Sequence, residues 1–401
     1  MKAGGWRRRA LFSAVALVLL TGCWNRRELN ELAIAAALGI DKSESGLKLS
    51  VQVINPGEIA DRKGAGKQPP VVTFEAEGRT FMEALHRLTT EMPRRIYLAH
   101  LRMVIIGEEM ARSGIGKALD ALSRYYEVRT DYYVVVARGQ TAAHILETLT
   151  SLEKIPANSM NTSLDISEKA WAATGKTTLN DLISGIHNIG RSAVMSGITL
   201  DGNPADGPEM NRFQSTKPPV ILRYSGIGAM KGDKLAGWLS ETESKGFRFA
   251  KGNLTNTGLV VPCPAGGYAD VELVRMNSKV KGKVAGGSPA GSVTIRVEGM
   301  LTEVSCDIDV MKRKTISRLE REIEDEIEEA VHAAVRRSQD DLRSDVIGFG
   351  EAIHRANPKA WRNLKRNWPQ AFRKMKVDVN VDMKIRRIGT VNEPAAKKTE
   401  E

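Results

Sequence analysis

The chain has 401 residues, 42% hydrophobic and 27% charged, with a formal net charge of +11 and three cysteines. That length exceeds one typical core and implies two or three domains, while three cysteines exclude a disulfide scaffold. Beyond residue 22 no apolar run approaches the roughly eighteen residues that a membrane-spanning helix needs, so the long hydrophobic stretch is confined to the start.

That start reads as a secretory signal over residues 1–22. Lys2, Arg7, Arg8 and Arg9 form a basic region, and residues 10–20 form an apolar core of roughly eleven residues. The core closes in Leu20-Thr21-Gly22-Cys23, the box of a bacterial lipoprotein. Small Gly22 lets a peptidase approach the backbone, and the Cys23 thiol supplies the atom that takes a diacylglyceryl group. The mature chain is therefore expected to begin at a lipidated Cys23. An ordinary cleaved signal with a chance cysteine is the alternative; the basic region, core and box agree with the lipoprotein reading in order and spacing. Two acyl chains anchor stably where one binds marginally, so the expected location is the outer face of a membrane. Without the four basic residues of the signal the net charge is +7. A moderately basic exported protein meets an anionic lipid surface or an acidic partner rather than nucleic acid.

After the anchor, residues 31–41 are nearly continuously apolar, 47–54 alternate, and 42–46 are turn-rich, which predicts a hairpin. Residues 55–70, rich in Gly and Pro, predict a mobile loop. A strand at 71–77, a helix at 80–92, a strand at 101–106, a helix at 116–126, a strand at 131–137 and a helix at 140–149 follow. Strands alternating with helices argue for a mixed α/β first domain. Residues 151–188 are polar with helical pieces and read as a connector or small unit. The second half alternates at 220–224, 226–230, 270–281 and 292–304, punctuated by Gly and Pro clusters at 201–208, 262–267 and 282–291, the pattern of antiparallel sheet. A long helix at about 312–345 carries Ile316, Leu319, Ile323, Ile327, Val331, Ala334, Val335 and Leu342 as one stripe. Ser317 and Glu320 offer a capping-box start, with a start one turn earlier equally open. The charged face around Glu320-Arg321-Glu322 and Glu324-Asp325-Glu326 reads as solvated. A strand at 377–388 and a disordered tail at 390–401 end the chain.

The expected fold is α+β and multi-domain. A mixed α/β N-terminal domain spans 23–196, with a connector from about 151. One or more C-terminal α+β domains span 197–389, with an antiparallel sheet packed against the long helix.

Few constellations invite chemistry. Gly175-Lys176-Thr177 resembles the end of a phosphate-binding loop, but the pattern requires a glycine where Ala170 stands. Gly226 and Gly228 suit close backbone packing in a sheet. His86, His100, His144, His187, His332 and His354 never fall three or four residues apart, so no metal spacing arises. No Gly-x-Ser-x-Gly elbow exists, and Cys263 and Cys306 lack a nucleophile's local signature. These two cysteines either pair, across a loop of about forty residues worth roughly 3 to 4 kcal/mol, or stay as separate buried thiols. No catalytic residue, cofactor or metal ligand is assigned. The segment 358–372 combines Trp361, Leu364, Trp368 and Phe372 with Arg362, Lys365 and Arg366, and Arg373 follows. It reads as a basic surface helix packed on the core, with a membrane or partner contact as the alternative.

Several of these pieces resemble the Ger(x)C family of spore germination lipoproteins. They are Cys23-Trp24-Asn25-Arg26-Arg27-Glu28-Leu29, Gly39-Ile40-Asp41-Lys42, Ser225-Gly226-Ile227-Gly228-Ala229-Met230, and Asp233-Lys234-Leu235-Ala236-Gly237-Trp238-Leu239. Asp345-Val346-Ile347-Gly348-Phe349-Gly350 with Pro358-Lys359-Ala360-Trp361, Trp368 and Phe372 completes the set in the family's order. Asn25 departs from the usual Asp beside the anchor. The resemblance implies a non-catalytic lipoprotein of three α+β domains, the C subunit of a nutrient germinant receptor in the spore inner membrane. Its implied partners are an integral membrane A subunit, a transporter-like integral membrane B subunit, and lipid through Cys23. Two other classes stand beside it: a substrate-binding lipoprotein of an uptake transporter, which requires two similar α/β lobes, and an envelope hydrolase, which requires convergent acids or a nucleophile.

Overall fold

The computed structural model describes residues 5–6, 28–60, 68–206, 216–252, 254–263 and 266–387. Cys23, nearly all of the signal segment and the tail from 390 lie outside the described residues.

The first sheet contains β1 (Leu32–Ser43), β2 (Gly46–Ile54), β3 (Val71–Gly78), β4 (Arg95–Tyr97), β5 (Met103–Gly107), β6 (Tyr133–Ala137), β7 (Val194–Asp201), β8 (Ile221–Lys231) and β9 (Lys234–Leu239). Their order is β3-β2-β1-β5-β6-β7-β8-β9, with β4 paired to the beginning of β1. The central strands β1, β5, β6 and β7 run parallel. Antiparallel neighbours flank them, β2 and β3 on one side and β8 and β9 on the other. The expected hairpin is present, with Ser43 opposite Gly46.

Helices lie on both faces of this centre, so a strand must be apolar at consecutive positions rather than alternate ones. Val134, Val135 and Val136 are accordingly all inaccessible. Leu38, Val104, Val134 and Val136 pack with Phe81, Leu85, Leu119 and Leu182 on one face. Met103, Ile105 and Val135 pack with Ile145, Met160 and Leu164 on the other. Side-chain caps set several helix starts: Thr80 caps Phe81–Leu88 and Thr141 caps Ala142–Glu147. Thr178 with Asp181 and Ser240 with Glu243 form full capping boxes at Leu179–His187 and Glu241–Lys251.

The structure departs from the sequence expectation in three places here, and the connector shows the helical pieces expected of it. The loop at 55–70 opens with a helical turn, Pro56–Ala60, and residues 61–67 lie outside the described residues. The connector at 151–188 contains two helices, Pro156–Ala170 and Leu179–His187. The first buries only Pro156, Ala157, Met160 and Leu164, so its Asn, Ser and Thr content masks its period. The runs at 220–224 and 226–230 are one strand, β8. The expected boundary at 196/197 falls inside β7, and the sheet continues across it to Leu239. The Gly and Pro cluster at 201–208 belongs to the connection between two antiparallel strands of one sheet.

The second sheet contains β10 (Thr257–Pro262), β11 (Tyr268–Ala285), β12 (Ser288–Val304) and β13 (Lys376–Arg387) in that order. The helices Arg313–Asp340 and Glu241–Lys251 pack on it and on each other. They cross closely at Gly246, where a Cβ would fall inside the van der Waals shell of the Ala330 carbonyl. The long helix buries Leu319, Ile323, Ile327, Val331, Ala334 and Val335 of the expected stripe; Ile316 is half-buried, and the helix ends at Asp340 rather than near 345, so Leu342 lies beyond it. It starts one turn before Ser317, with Lys312 at the N-cap and no side-chain cap. Cys263 and Cys306 form a disulfide, which resolves the alternative left open. The resulting α+β architecture matches the expectation except in one relation. β10, β11 and β12 are antiparallel, but β13 is parallel to β12. The long helix carries the chain back across the sheet between these strands, and a crossover of that kind delivers a parallel neighbour.

The charged face of the long helix is not wholly solvated. Glu328 accepts the backbone N–H of Val381 at 3.0 Å, Glu324 that of Met383 at 2.9 Å, and Glu320 that of Ile385 at 3.0 Å. Arg321, Asp325 and Glu326 are the exposed members of that face. The ladder works because four helical residues advance about 6 Å and two strand residues about 6.7 Å, so three successive pairs stay in register. Replacing Glu324 with alanine leaves the Met383 donor unpaired. The expected result is a stability loss of about 1 to 2 kcal/mol and faster hydrogen exchange at the Met383 amide, with the Leu259 amide of β10 unaffected. Unchanged exchange at Met383 would remove the ladder as a stabilising element.

Candidate functional site

The last set of residues that carries the resemblance, from Asp345 to Phe372, converges on a buried carboxylate. After the long helix ends at Asp340, the chain turns and Gly348, at φ +90°, leads into the helix Phe349–Ala356. A positive φ of this size favours glycine. Asp345 lies inside the turn, 4% exposed. Its Oδ1 accepts the N–H groups of Gly348 at 2.7 Å and Phe349 at 3.1 Å. Its Oδ2 accepts the Gly350 N–H at 2.8 Å and the Trp368 indole N–H at 3.2 Å. Burial pushes this carboxyl up to about 6, against the pull of the four donors, and leaves it ionised at neutral pH. Both oxygens are committed, so the group holds structure and offers no proton or lone pair to a substrate.

The same turn ties the two sheets together. The Asp345 carbonyl accepts the Ser192 N–H at 2.8 Å, and Gly190 accepts the Glu351 N–H at 2.8 Å. A Cβ on Gly350 would lie 2.7 Å from the Gly190 Cα and 2.7 Å from the Trp368 ring, so two glycines set back to back permit the contact. Arg191 and Glu351 close it with an ion pair at 3.4 Å.

The aromatic segment at 358–372 folds onto this turn as the helices Pro358–Leu364 and Trp368–Arg373. Trp361, Trp368 and Phe372 are buried, with ring centroids 5.3 Å apart for the two indoles and 5.9 Å for Trp368 and Phe372. Core packing is therefore the role of the rings. Arg362, Lys365, Arg366 and Arg373 face outward.

The remaining motif pieces also make joints. Asp41 is buried at the end of β1 and accepts the Ala142 and Ala143 N–H groups at 2.8 and 3.0 Å, capping the helix Ala142–Glu147. Burial raises its carboxyl, and those two bonds pull it down. The Trp238 indole donates to Glu108 at 3.0 Å, and Arg138 lies over the same ring at 4.8 Å while donating to Ser225. A Cβ on Gly226 would come 2.8 Å from the Leu239 carbonyl, as close packing requires.

Gly175-Lys176-Thr177 does not hold a phosphate geometry. The Lys176 ammonium pairs with Asp165 at 3.0 Å and Glu168 at 3.3 Å, and the helix behind it is capped by Thr178 and Asp181. Nearby, the half-buried Arg248 pairs with Glu168 at 3.1 Å, and its Nε has no partner among the described residues. No group of metal-binding side chains occurs among the described residues. Nor is any described helix long and apolar enough to cross a membrane. Cys23, the one residue assigned a chemical role from sequence, lies outside the described residues. Sequence reasoning missed the capping roles of Asp41 and Asp345. For Asp345 a local signal existed, since an aspartate three residues before a glycine at a helix start has capping spacing.

Comparison with known proteins gives a consistent set of similarities. Residues 25–200 match the model for the spore germination protein N-terminal domain, and residues 225–389 match the model described as spore germination B3/GerAC like, C-terminal. The chain is 31% identical to spore germination protein KC of Bacillus subtilis (strain 168) over 395 residues, 96% of each chain. It is 25% identical to spore germination protein B3 of the same organism over 382 residues, covering 94% of this chain and 96% of the other. The crystal structure of the GerBC protein shares the fold, with a TM-score of 0.52 at 20% identity over 87% of this chain and 96% of that one.

Replacing Asp345 with alanine leaves three backbone donors and the Trp368 indole enclosed without an acceptor. The expected cost is about 3 to 5 kcal/mol in equilibrium urea unfolding, together with a change in tryptophan emission. A loss below about 1 kcal/mol would show that the turn does not depend on this carboxylate.

Proposed function

The chain belongs to the Ger(x)C family of spore germination proteins, and we propose that it is the lipid-anchored subunit of a spore nutrient germinant receptor. In this reading it acts by assembly with integral membrane A and B subunits rather than by catalysis, and is held on the outer face of the spore inner membrane by acyl chains on Cys23. The observation that carries it is the end-to-end similarity to spore germination protein KC, 31% identical over 96% of each chain, in a chain that also presents Leu20-Thr21-Gly22-Cys23 after a signal core. The two family matches, at 25–200 and 225–389, together span nearly all of the chain after Cys23.

The non-catalytic part is supported by what the polar residues do. Asp345 is saturated by four N–H donors, each Asp41 oxygen caps a helix N–H, and Lys176 is held by two carboxylates. The transporter alternative requires two similar lobes. A nine-stranded mixed sheet beside a four-stranded one does not supply them.

The test is nutrient-induced loss of optical density by spores of the source organism, with the chain intact, deleted, or carrying Cys23→Ala. Deletion is expected to abolish the response to one nutrient class and spare the response to non-nutrient triggers. Cys23→Ala is expected to impair the same response and to lose metabolic fatty-acid label. Label persisting on the Cys23→Ala protein would contradict the anchor, and an unchanged nutrient panel in spores with no second receptor would contradict the receptor role.

A further inference from the structure

Between Glu351 and Asp378 lie 26 residues without a carboxylate and with eight lysines and arginines. They include Arg355, Lys359, Arg362, Lys365, Arg366 and Arg373, and all eight are exposed. Among the described residues none of them meets an acidic partner, whereas Arg191, Arg337, Lys384 and Arg386 nearby do. The cause is the inward turn of Trp361, Trp368 and Phe372, which leaves the cationic side of both short helices facing solvent. The patch continues into an open groove of about 650 Å³ that Arg191, Lys251, Lys279, Lys281 and Arg355 line, with Glu351 as its one carboxylate.

The position of this face within the fold is informative. The turn that leads into the segment docks on Gly190 and Ser192 through Asp345, Gly350 and Glu351, immediately before β7. β7 is parallel to β6, β5 and β1, so the patch lies at the end of the first sheet where β1 begins. Only three strand spacings, about 14 Å, separate β7 from β1. The nine residues from Cys23 to Leu32 extend at most about 30 Å. The described chain thus enters β1 on the side that bears the unpaired cations, and Cys23 is no farther from that end than this reach.

We propose that the basic face of residues 355–376, with its adjoining groove, is a docking surface for anionic phospholipid head groups. This inference rests on the anchor reading for its orientation, and adds which face meets the bilayer. Because the rings are buried, contact is electrostatic and peripheral, without aromatic insertion. A tether holds the protein near the membrane, and juxtamembrane cations attract anionic lipid over a Debye length, so the two together fix an orientation that acyl chains alone leave free.

The test uses residues 23–401, the chain without its signal, carrying Cys23→Ala, so that neither an acyl chain nor the basic and apolar signal contributes. It is mixed with phosphatidylcholine vesicles and with vesicles that also contain phosphatidylglycerol, and bound protein is read by sedimentation. Binding is expected only with phosphatidylglycerol, and is expected to disappear in about 1 M salt, where the Debye length is about 3 Å. The quadruple variant Lys359→Gln, Arg362→Gln, Lys365→Gln, Arg366→Gln should partition about tenfold or more weakly, with an unchanged thermal melt. Exchanging Lys and Arg at the same four positions should keep binding. Equal binding by the quadruple variant, or no preference for phosphatidylglycerol in the Cys23→Ala chain, overturns the proposal. Loss of fatty-acid label from the wild-type chain with vesicle binding intact would instead overturn the anchor and leave this surface standing.

Discussion

Four N–H donors converge on one enclosed carboxylate, Asp345, and much of the C-terminal architecture follows from that convergence. Without an acceptor there, the first turn of the helix Phe349–Ala356 would bury three unpaired donors, a cost no packing nearby offsets. With it, the chain reverses after the long helix, presents Gly350 to Gly190, and draws the Trp368 ring over the joint. Asp41 performs the same service at the other end of the first sheet for Ala142–Glu147. Both aspartates fall inside the short sequence pieces that mark the family. Their place in those pieces is accounted for by backbone donors that find no other acceptor among the described residues, without appeal to a reaction.

What could be read from the sequence, and what could not, divides along contact distance. The hairpin of β1 and β2, the consecutive valines of β6 and the apolar stripe from Leu319 to Val335 are local patterns, and each appears where its period puts it. The roles of Asp41 and Glu324 were hidden because their donors lie 101 and 59 residues away. The parallel sense of β13 was hidden for a related reason: its own alternation is identical in either direction, and only the path of the preceding helix decides. The disulfide lay between these cases. Spacing allowed Cys263 and Cys306 to meet, and a Cα separation of 6.3 Å is a property of the folded sheet alone.

Residues 358–373 show how two readings of one segment can both hold. Rings and cations alternate closely along the chain, so composition alone assigns them to a core or to an anionic interface with equal ease. The fold separates them by face. Trp361 and Trp368 complete the joint around Asp345, and the cations, excluded from that interior by the cost of burying charge, are left together on the outside. Their accumulation is a by-product of where the aromatics must go, and it sits on the side of the first sheet from which the chain enters.

The carboxylate ladder has one more consequence. β13 ends its sheet, and a terminal strand normally offers a free row of backbone donors on which a second chain can zip. Here Glu320, Glu324 and Glu328 have already occupied three of those donors with side chains of the same molecule. The long helix therefore acts as a built-in terminator. A second copy that paired its sheet through β13 would first have to displace these three carboxylates.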